Sequence, residues 1–81
     1  MLLVLLFAGC GLPACERLCE ERAACVSATI AAYDSSWEAW TGHADEAAYR
    51  EACYAQFEAA IPSGDDVDGL CADERPYTCE D

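Results

Sequence analysis

The chain has 81 residues, which is enough for one small domain. Its formal net charge is −12, from 16 acidic and four basic residues, and this charge excludes nucleic acid as a partner because a polyanion would be repelled. Seven cysteines in so short a chain indicate a disulfide scaffold if the protein is exported, or a metal site if it stays in a reducing compartment.

The chain opens with an uninterrupted apolar run, M-L-L-V-L-L-F-A, over residues 1–8. This run is too short to cross a bilayer as a helix, which takes about 20 residues. It has the length of the apolar region of an export signal. No lysine or arginine precedes the run, and since an export signal normally carries positive charge there, we expect the translated start to lie upstream.

The apolar run ends in the motif F-A-G-C over residues 7–10, which resembles the lipobox of bacterial lipoproteins. In that family two small residues precede an invariant cysteine, which receives a lipid on its sulfur, and the signal peptide is cut just before it. The resemblance implies a signal peptide over residues 1–9, a lipidated tether over residues 10–13 and membrane anchoring through Cys10. In a two-membrane organism Gly11 also implies the outer membrane, because it is not the aspartate often linked to inner-membrane retention.

The cysteine count agrees with this interpretation. If Cys10 carries a lipid, an even set remains, which suits three disulfides in an exported protein. Each disulfide contributes about 2–4 kcal/mol of stability, which a chain too small for a large apolar core needs. The predicted half-cystines are Cys15, Cys19, Cys25, Cys53, Cys71 and Cys79.

The folded part is predicted to be one cysteine-rich helical domain over residues 14–81. Apolar residues recur every three or four positions over residues 14–33, which is typical of a helix with one buried face. Pro13 stands just before this helix, where a missing backbone N–H costs little.

A short second helix is predicted next. Ser35 and Glu38 have the spacing of a capping box, and Gly42 is a suitable stop in the left-handed conformation. A single unbroken helix over residues 14–40 is the competing prediction.

A third helix is predicted over residues 45–60, with Asp45 as its N-cap and Pro62 and Gly64 as its stop. Its apolar residues are spaced to form one stripe. The stripe consists of Tyr49, Cys53, Phe57, Ala60 and Ile61.

The predicted fold is all-α: a small disulfide-stapled helical hairpin with an irregular acidic C-terminal tail after residue 63. Six cysteines allow 15 pairings, so the connectivity stays open. The best guess pairs Cys25 with Cys53, because each lies eight residues from the connection of an antiparallel pair. Cys15 and Cys19 are then expected to pair with Cys71 and Cys79, in an order left open.

No pattern predicts a catalytic site or a cofactor. The only histidine, His43, falls in a predicted loop with no nucleophile and acid fixed beside it. Zinc sites use closely spaced thiolates such as C-x2-C, and the chain has no such pair. The acidic stretch D-D-V-D-G over residues 65–69 fails the calcium-binding EF-hand pattern at two ligand positions.

Three aromatic residues, Tyr33, Trp37 and Trp40, lie close together in the sequence. We expect them to close the small core. The alternative is an exposed patch that contacts a protein partner.

These inferences predict a non-enzymatic lipoprotein of the cell envelope, held to a membrane by the lipid on Cys10. Its expected role is structural or the binding of a protein not identified by the sequence, and its oligomeric state is left open. One alternative is an acidic module in which Asp65, Asp66 and Asp68 bind a basic partner or calcium. Another is an intracellular zinc-binding protein.

Overall fold

The computed structural model describes residues 11–79, so Cys10 and the predicted signal peptide lie outside the described residues. No β-strand occurs between residues 11 and 79, and the all-α prediction is confirmed. No helix in this part of the chain is long and apolar enough to cross a membrane. The elements are α1 (Pro13–Ala32), α2 (Trp37–Thr41), α3 (Glu46–Ala60), a 3-10 turn (Ile61–Ser63) and α4 (Val67–Asp73).

Helix α1 has 20 residues and begins with Pro13 at its first helical position. Leu12, at the N-cap, has no side-chain oxygen to accept a hydrogen bond. The carboxylate of Asp68 in α4 takes that role, accepting from the backbone N–H groups of Ala14 at 2.8 Å and Cys15 at 3.1 Å. The start of α1 is therefore capped by a residue of the last helix.

The connection between α1 and α3 interrupts the helix, so the competing prediction of one helix over residues 14–40 is wrong. Asp34 has a left-handed backbone, with φ 54°, which short polar residues tolerate better than most. The N–H of Ser35 donates to the carbonyl of Ile30 at 2.9 Å and so completes the end of α1.

Helix α2 begins one residue later than the predicted capping box. Its N-cap is Ser36, whose hydroxyl accepts from the N–H of Ala39 at 3.1 Å. Ser35 cannot cap α2, because it belongs to the turn that closes α1. Gly42 ends α2 with φ 85°, the left-handed stop that the sequence predicts.

Helix α3 begins as predicted, with the Asp45 carboxylate accepting from the N–H of Ala48 at 2.9 Å. The 3-10 turn and Gly64, with φ 90°, end it. Cys53 is buried, but Ile61 is 49% exposed. The predicted stripe is wrong at Ala60, which is exposed at the last position of α3, and at Ile61, which the chain reaches after the α-helix has ended.

The segment after residue 63 is not simply irregular, because it contains α4. Asp66 caps this helix by accepting from the N–H of Gly69 at 3.1 Å. Val67 and Cys71 are buried against Cys15 and other residues of α1. The sequence hides this helix, since it has only seven residues and one of them is a glycine, a poor helix former.

The core is small, and half-cystines form half of it. Tyr54 and Phe57 of α3 pack against one side of its main cluster. Because α1 contacts both α3 and α4, the core lies along α1. The buried apolar residues are Cys15, Leu18, Cys19, Ala23, Ile30, Cys53, Val67 and Cys71.

All six cysteines of the described residues are paired in three disulfides. Each disulfide joins α1 to a later part of the chain: to α4, to α3 and to the segment after α4. The pairs are Cys15–Cys71, Cys19–Cys53 and Cys25–Cys79, with Cα atoms 4.9, 5.9 and 5.4 Å apart.

The predicted pairing of Cys25 with Cys53 is wrong. Cys53 bonds to Cys19, six residues earlier in α1, which is about 9 Å along a helix. The prediction assumed that residues at equal distance from the connection lie level in the antiparallel pair, whereas the predicted short helix, α2, packs beside α1 and the pair is offset. Equal distance from the connection therefore does not place two residues level, and Cys25 bonds to Cys79 instead.

Candidate functional site

The three aspartates considered for calcium or a basic partner do not converge on one site. Asp66 caps α4 and Asp68 caps α1, so both carboxylates already accept backbone hydrogen bonds. Asp65 is exposed and accepts from the hydroxyl of Ser63 at 3.3 Å. Over residues 11–79, no group of three or more His, Cys, Asp or Glu residues is placed to hold a metal ion.

The cysteines of the described residues offer no thiolate to a metal. Every one from Cys15 to Cys79 is in a disulfide. Thiolates are the ligands that a structural zinc site in this chain would need, since it has a single histidine. The described residues therefore do not support the alternative of an intracellular zinc protein.

Five ring-bearing residues between the end of α1 and the start of α3 form two neighbouring groups of ring contacts, a pair and a trio, and together we call them the aromatic cluster. Tyr33 and Trp40 stack, with ring centroids 5.6 Å apart and an interplanar angle of 11°. Tyr49 makes a tilted contact with Trp37 at 5.5 Å and an edge contact with His43 at 5.9 Å, both measured between ring centroids.

The aromatic cluster lies largely at the surface. Tyr33 is 70% exposed and Trp40 is 49% exposed, while Trp37 is half-buried. The prediction that these three residues close the core is therefore wrong. The core lies around Cys15 and Leu18 in the first half of α1, and α2 contributes no buried residue to it.

The segment that carries the aromatic cluster is acidic. Residues 33–49 include no lysine or arginine and four acidic residues, all exposed. The carboxylates of this stretch thus number four beside the five rings of the cluster. The four acidic residues are Asp34, Glu38, Asp45 and Glu46.

A second surface is a groove of about 500 Å³ between α1 and α3, which we call the acidic groove. Tyr54 lies in it, and its hydroxyl accepts a hydrogen bond from the N–H of Leu12 at 2.8 Å. Carboxylates outnumber its single basic side chain four to one. The charged lining consists of Glu16, Glu20, Glu51, Glu58 and Arg50.

Glu21 of α1 holds the segment that follows α4. Its carboxylate accepts from Nε and a terminal nitrogen of Arg75 at 3.1 and 2.8 Å, and from the N–H of Tyr77 at 3.0 Å. The Arg75 hydrogen bonds, followed by that of Tyr77, hold the pKa of Glu21 below its ordinary value. Sequence reasoning missed this contact, because Arg75 and Tyr77 lie 54 and 56 residues after Glu21 and form no local pattern with it.

Arg22, the next residue of α1, combines three kinds of contact. Its guanidinium lies 5.7 Å from the ring centroid of Phe57 and 5.6 Å from that of Tyr77. A terminal nitrogen of the same group donates to the carboxylate of Glu74 at 3.2 Å. Rings and a carboxylate thus surround one arginine on the surface of the domain.

No family model, no curated protein and no solved structure matches this chain.

Proposed function

We propose that the chain is a lipid-anchored protein of the cell envelope, whose helical domain has a structural or protein-interaction role outside the cytoplasm. The observation that carries the proposal is the complete pairing of the six cysteines after Cys10. Cys10 then has no cysteine left to pair with inside the chain, and it occupies the position that the lipobox reserves for the lipidated residue. Disulfides persist in exported proteins and are rare in the cytosol, which agrees with export.

The proposed mature protein is a disulfide-stapled hairpin of α1 and α3, closed on one side by α4. Because Pro13 already begins α1, the tether from Cys10 is short and keeps the start of α1 close to the lipid surface. The net charge of −12 opposes further contact with anionic headgroups, so the rest of the domain is expected to extend away from the membrane. The outer membrane, with the domain facing the periplasm or the cell surface, is the proposed location.

The proposed role is non-enzymatic. His43 packs edge-on against Tyr49, and the cysteines of the described residues are all in disulfides. Within residues 11–79, no cysteine thiol is therefore free to act as a nucleophile with His43 as its base. The two exposed surfaces, the aromatic cluster and the acidic groove, suit contact with another molecule better than chemistry on a bound substrate.

The experiment that tests the proposal is the intact mass of the protein, expressed with its upstream region and extracted from membranes, before and after reduction and alkylation. We expect loss of the residues before Cys10, an added lipid mass at Cys10, and six alkylated thiols after reduction only. A Cys10→Ser variant should keep its disulfides but lose the lipid and the membrane association. An unlipidated chain with an intact N-terminus and free thiols would contradict the proposal.

A further inference from the structure

We propose that the aromatic cluster is a docking surface for an arginine-bearing segment of a basic protein partner. This inference deepens the proposed interaction role and rests on it for the setting, but its binding chemistry does not depend on the lipid. It follows from the exposure of the rings, from the acidic residues of the same segment and from the contacts that Arg22 makes with two rings and a carboxylate elsewhere in the domain.

The exposure of the cluster points to a partner. Tyr33 and Trp40 stack on each other and still leave about half or more of their surface in water. Tryptophan and tyrosine are the residues most enriched at the energetic centres of protein interfaces, since they bury a large area with few rotatable bonds. In this chain the core is filled elsewhere, so these rings are available to another molecule.

The surrounding charge selects the partner. The four carboxylates of residues 33–49 and a net charge of −12 would repel a nucleic acid, an anionic bilayer or a second copy of the chain. They attract a cation. Arginine is the favoured cation, because its guanidinium stacks on aromatic faces while its N–H groups bind a carboxylate in a bidentate manner. Asp34, next to Tyr33, and Glu38, between the two tryptophans, are placed to supply that carboxylate.

The domain already uses this chemistry once. Arg22 lies close to the rings of Phe57 and Tyr77 while it donates to Glu74. The aromatic cluster offers the same two components, rings and exposed carboxylates, but residues 33–49 contain no arginine to place among them. We infer that a partner supplies it.

The position of the cluster suits a tethered protein. Helix α1 has 20 residues and is therefore about 30 Å long. Cys10 precedes one end of α1, and the aromatic cluster lies at the other end. A lipid on Cys10 would therefore hold the docking surface away from the bilayer, where a second protein can reach it.

The two tryptophans of the chain both belong to the aromatic cluster, so intrinsic tryptophan fluorescence reports on it directly. The test titrates a peptide of alternating arginine and glycine, with both termini blocked, into the purified oxidised protein at physiological salt. The protein is used with the N-terminus that it has after purification, whether processed or not. We expect a saturable change in tryptophan emission. A peptide of alternating glutamate and glycine should produce none.

Substitutions then locate the binding site. Tyr33→Ala and Trp40→Ala should each weaken peptide binding about two- to fivefold, the effect of one exposed cation–π contact. Asp34→Asn combined with Glu38→Gln should weaken it by at least a similar factor. The matched control, Glu16→Gln with Glu58→Gln in the acidic groove, removes the same charge and should change affinity by less than about twofold, because those carboxylates make no direct contact with the peptide. Far-UV circular dichroism checks each fold, and Trp40→Leu serves where Trp40→Ala does not fold.

Three results would overturn the inference. Equal weakening by the control pair would show general attraction to a charged surface or binding in the acidic groove. The absence of a saturable change would show that the cluster does not bind the cation. A blue shift with phosphatidylcholine vesicles and none with the peptide would assign the cluster to membrane contact. None of these results bears on the mass of a lipid at Cys10, so failure of docking and failure of anchoring are distinguishable.

Discussion

Asp68 links two helices through a single carboxylate. It accepts from two backbone N–H groups at the start of α1, where the helix dipole also favours a negative charge. We expect Asp68→Ala to lower the free energy of unfolding by about 1–2 kcal/mol, since the first turn of α1 then has no side-chain acceptor. Urea denaturation followed by circular dichroism measures this difference.

The control for that experiment is Asp65→Ala, which removes an exposed carboxylate of the same acidic stretch. Within residues 11–79 its carboxylate accepts only from the hydroxyl of Ser63, so the substitution should change the free energy of unfolding by less than about 0.5 kcal/mol. An equal loss in both variants would mean that the negative charge of the stretch matters and the cap does not.

Glu21 gives the stability a pH dependence of known sign. Hydrogen bonds from Arg75, then from the Tyr77 amide, hold its pKa below the ordinary value of 4.5. The folded chain therefore binds this proton less readily than the unfolded chain. The stabilising contribution is complete above about pH 4.5 and is lost as the pH falls through the lower folded pKa.

Glu21→Gln should reduce the fall in urea midpoint between about pH 6 and about pH 3, since the variant has no carboxylate there to protonate. The control is Glu51→Gln. Its carboxylate belongs to neither of the two ion pairs of residues 11–79, Arg22–Glu74 and Arg75–Glu21. If the two variants show the same pH profile, the contact of Glu21 with Arg75 contributes nothing measurable to acid stability.

Helix α4 contains a glycine beside its own cap. A methyl group at Gly69 would lie 2.7 Å from Cγ of Asp66, so the capping carboxylate would have to move away. Alanine favours the helix by about 1 kcal/mol over glycine, and the lost cap costs about the same. We therefore expect Gly69→Ala alone to change the free energy of unfolding by less than about 0.5 kcal/mol.

The same substitution should behave differently in an Asp66→Ala background. With no carboxylate to displace, Gly69→Ala should stabilise the chain by about 1 kcal/mol relative to Asp66→Ala alone. Chemical denaturation of the four chains completes the double-mutant cycle. Equal stabilisation in both backgrounds would show that the cap and the methyl group do not compete.

The elements differ in how far the sequence predicts them. Helices α1 and α3 were predicted to within about one residue, because their apolar periodicity is long and Asp45 is an unambiguous cap. Helix α4 was missed, since seven residues show no clear period. The cap of α2 lies one residue after the predicted one, because Ser35 and Ser36 are chemically equal and only the point where α1 ends decides between them.

Contacts between distant residues were the least predictable part of the candidate sites. Tyr33 and Trp40 are exposed because the core lies around Cys15 and Leu18 in the first half of α1, a placement that no local pattern records. The Cys25–Cys53 pairing failed because the shape of the connection sets the helix register. The motif at Cys10 lies outside the described residues and stays a prediction.

At the scale of the whole molecule, we expect the fold to depend on the oxidation state of the cysteines. Only four of the eight buried apolar residues are not cysteines: Leu18, Ala23, Ile30 and Val67. A core of that size stabilises a chain this short by at most a few kcal/mol. The disulfides close loops of 34 to 56 residues, each worth about 4 kcal/mol in the chain-entropy model. We therefore expect that, without the disulfides, the apolar contacts alone do not offset the conformational entropy of the chain.

The buried and exposed disulfides should therefore differ when each is replaced by a pair of serines. Removing Cys19–Cys53, whose sulfurs lie in the core, should abolish cooperative thermal unfolding, because two hydroxyl groups replace apolar core atoms and α3 is released from α1. Removing Cys25–Cys79 should keep the helices and lower the melting temperature, since Cys79 is exposed and Cys25 only half-buried. Circular dichroism on heating distinguishes these results. A cooperative melt in the fully reduced chain would show that the core is sufficient by itself, and the link between folding and an oxidising compartment would then be lost.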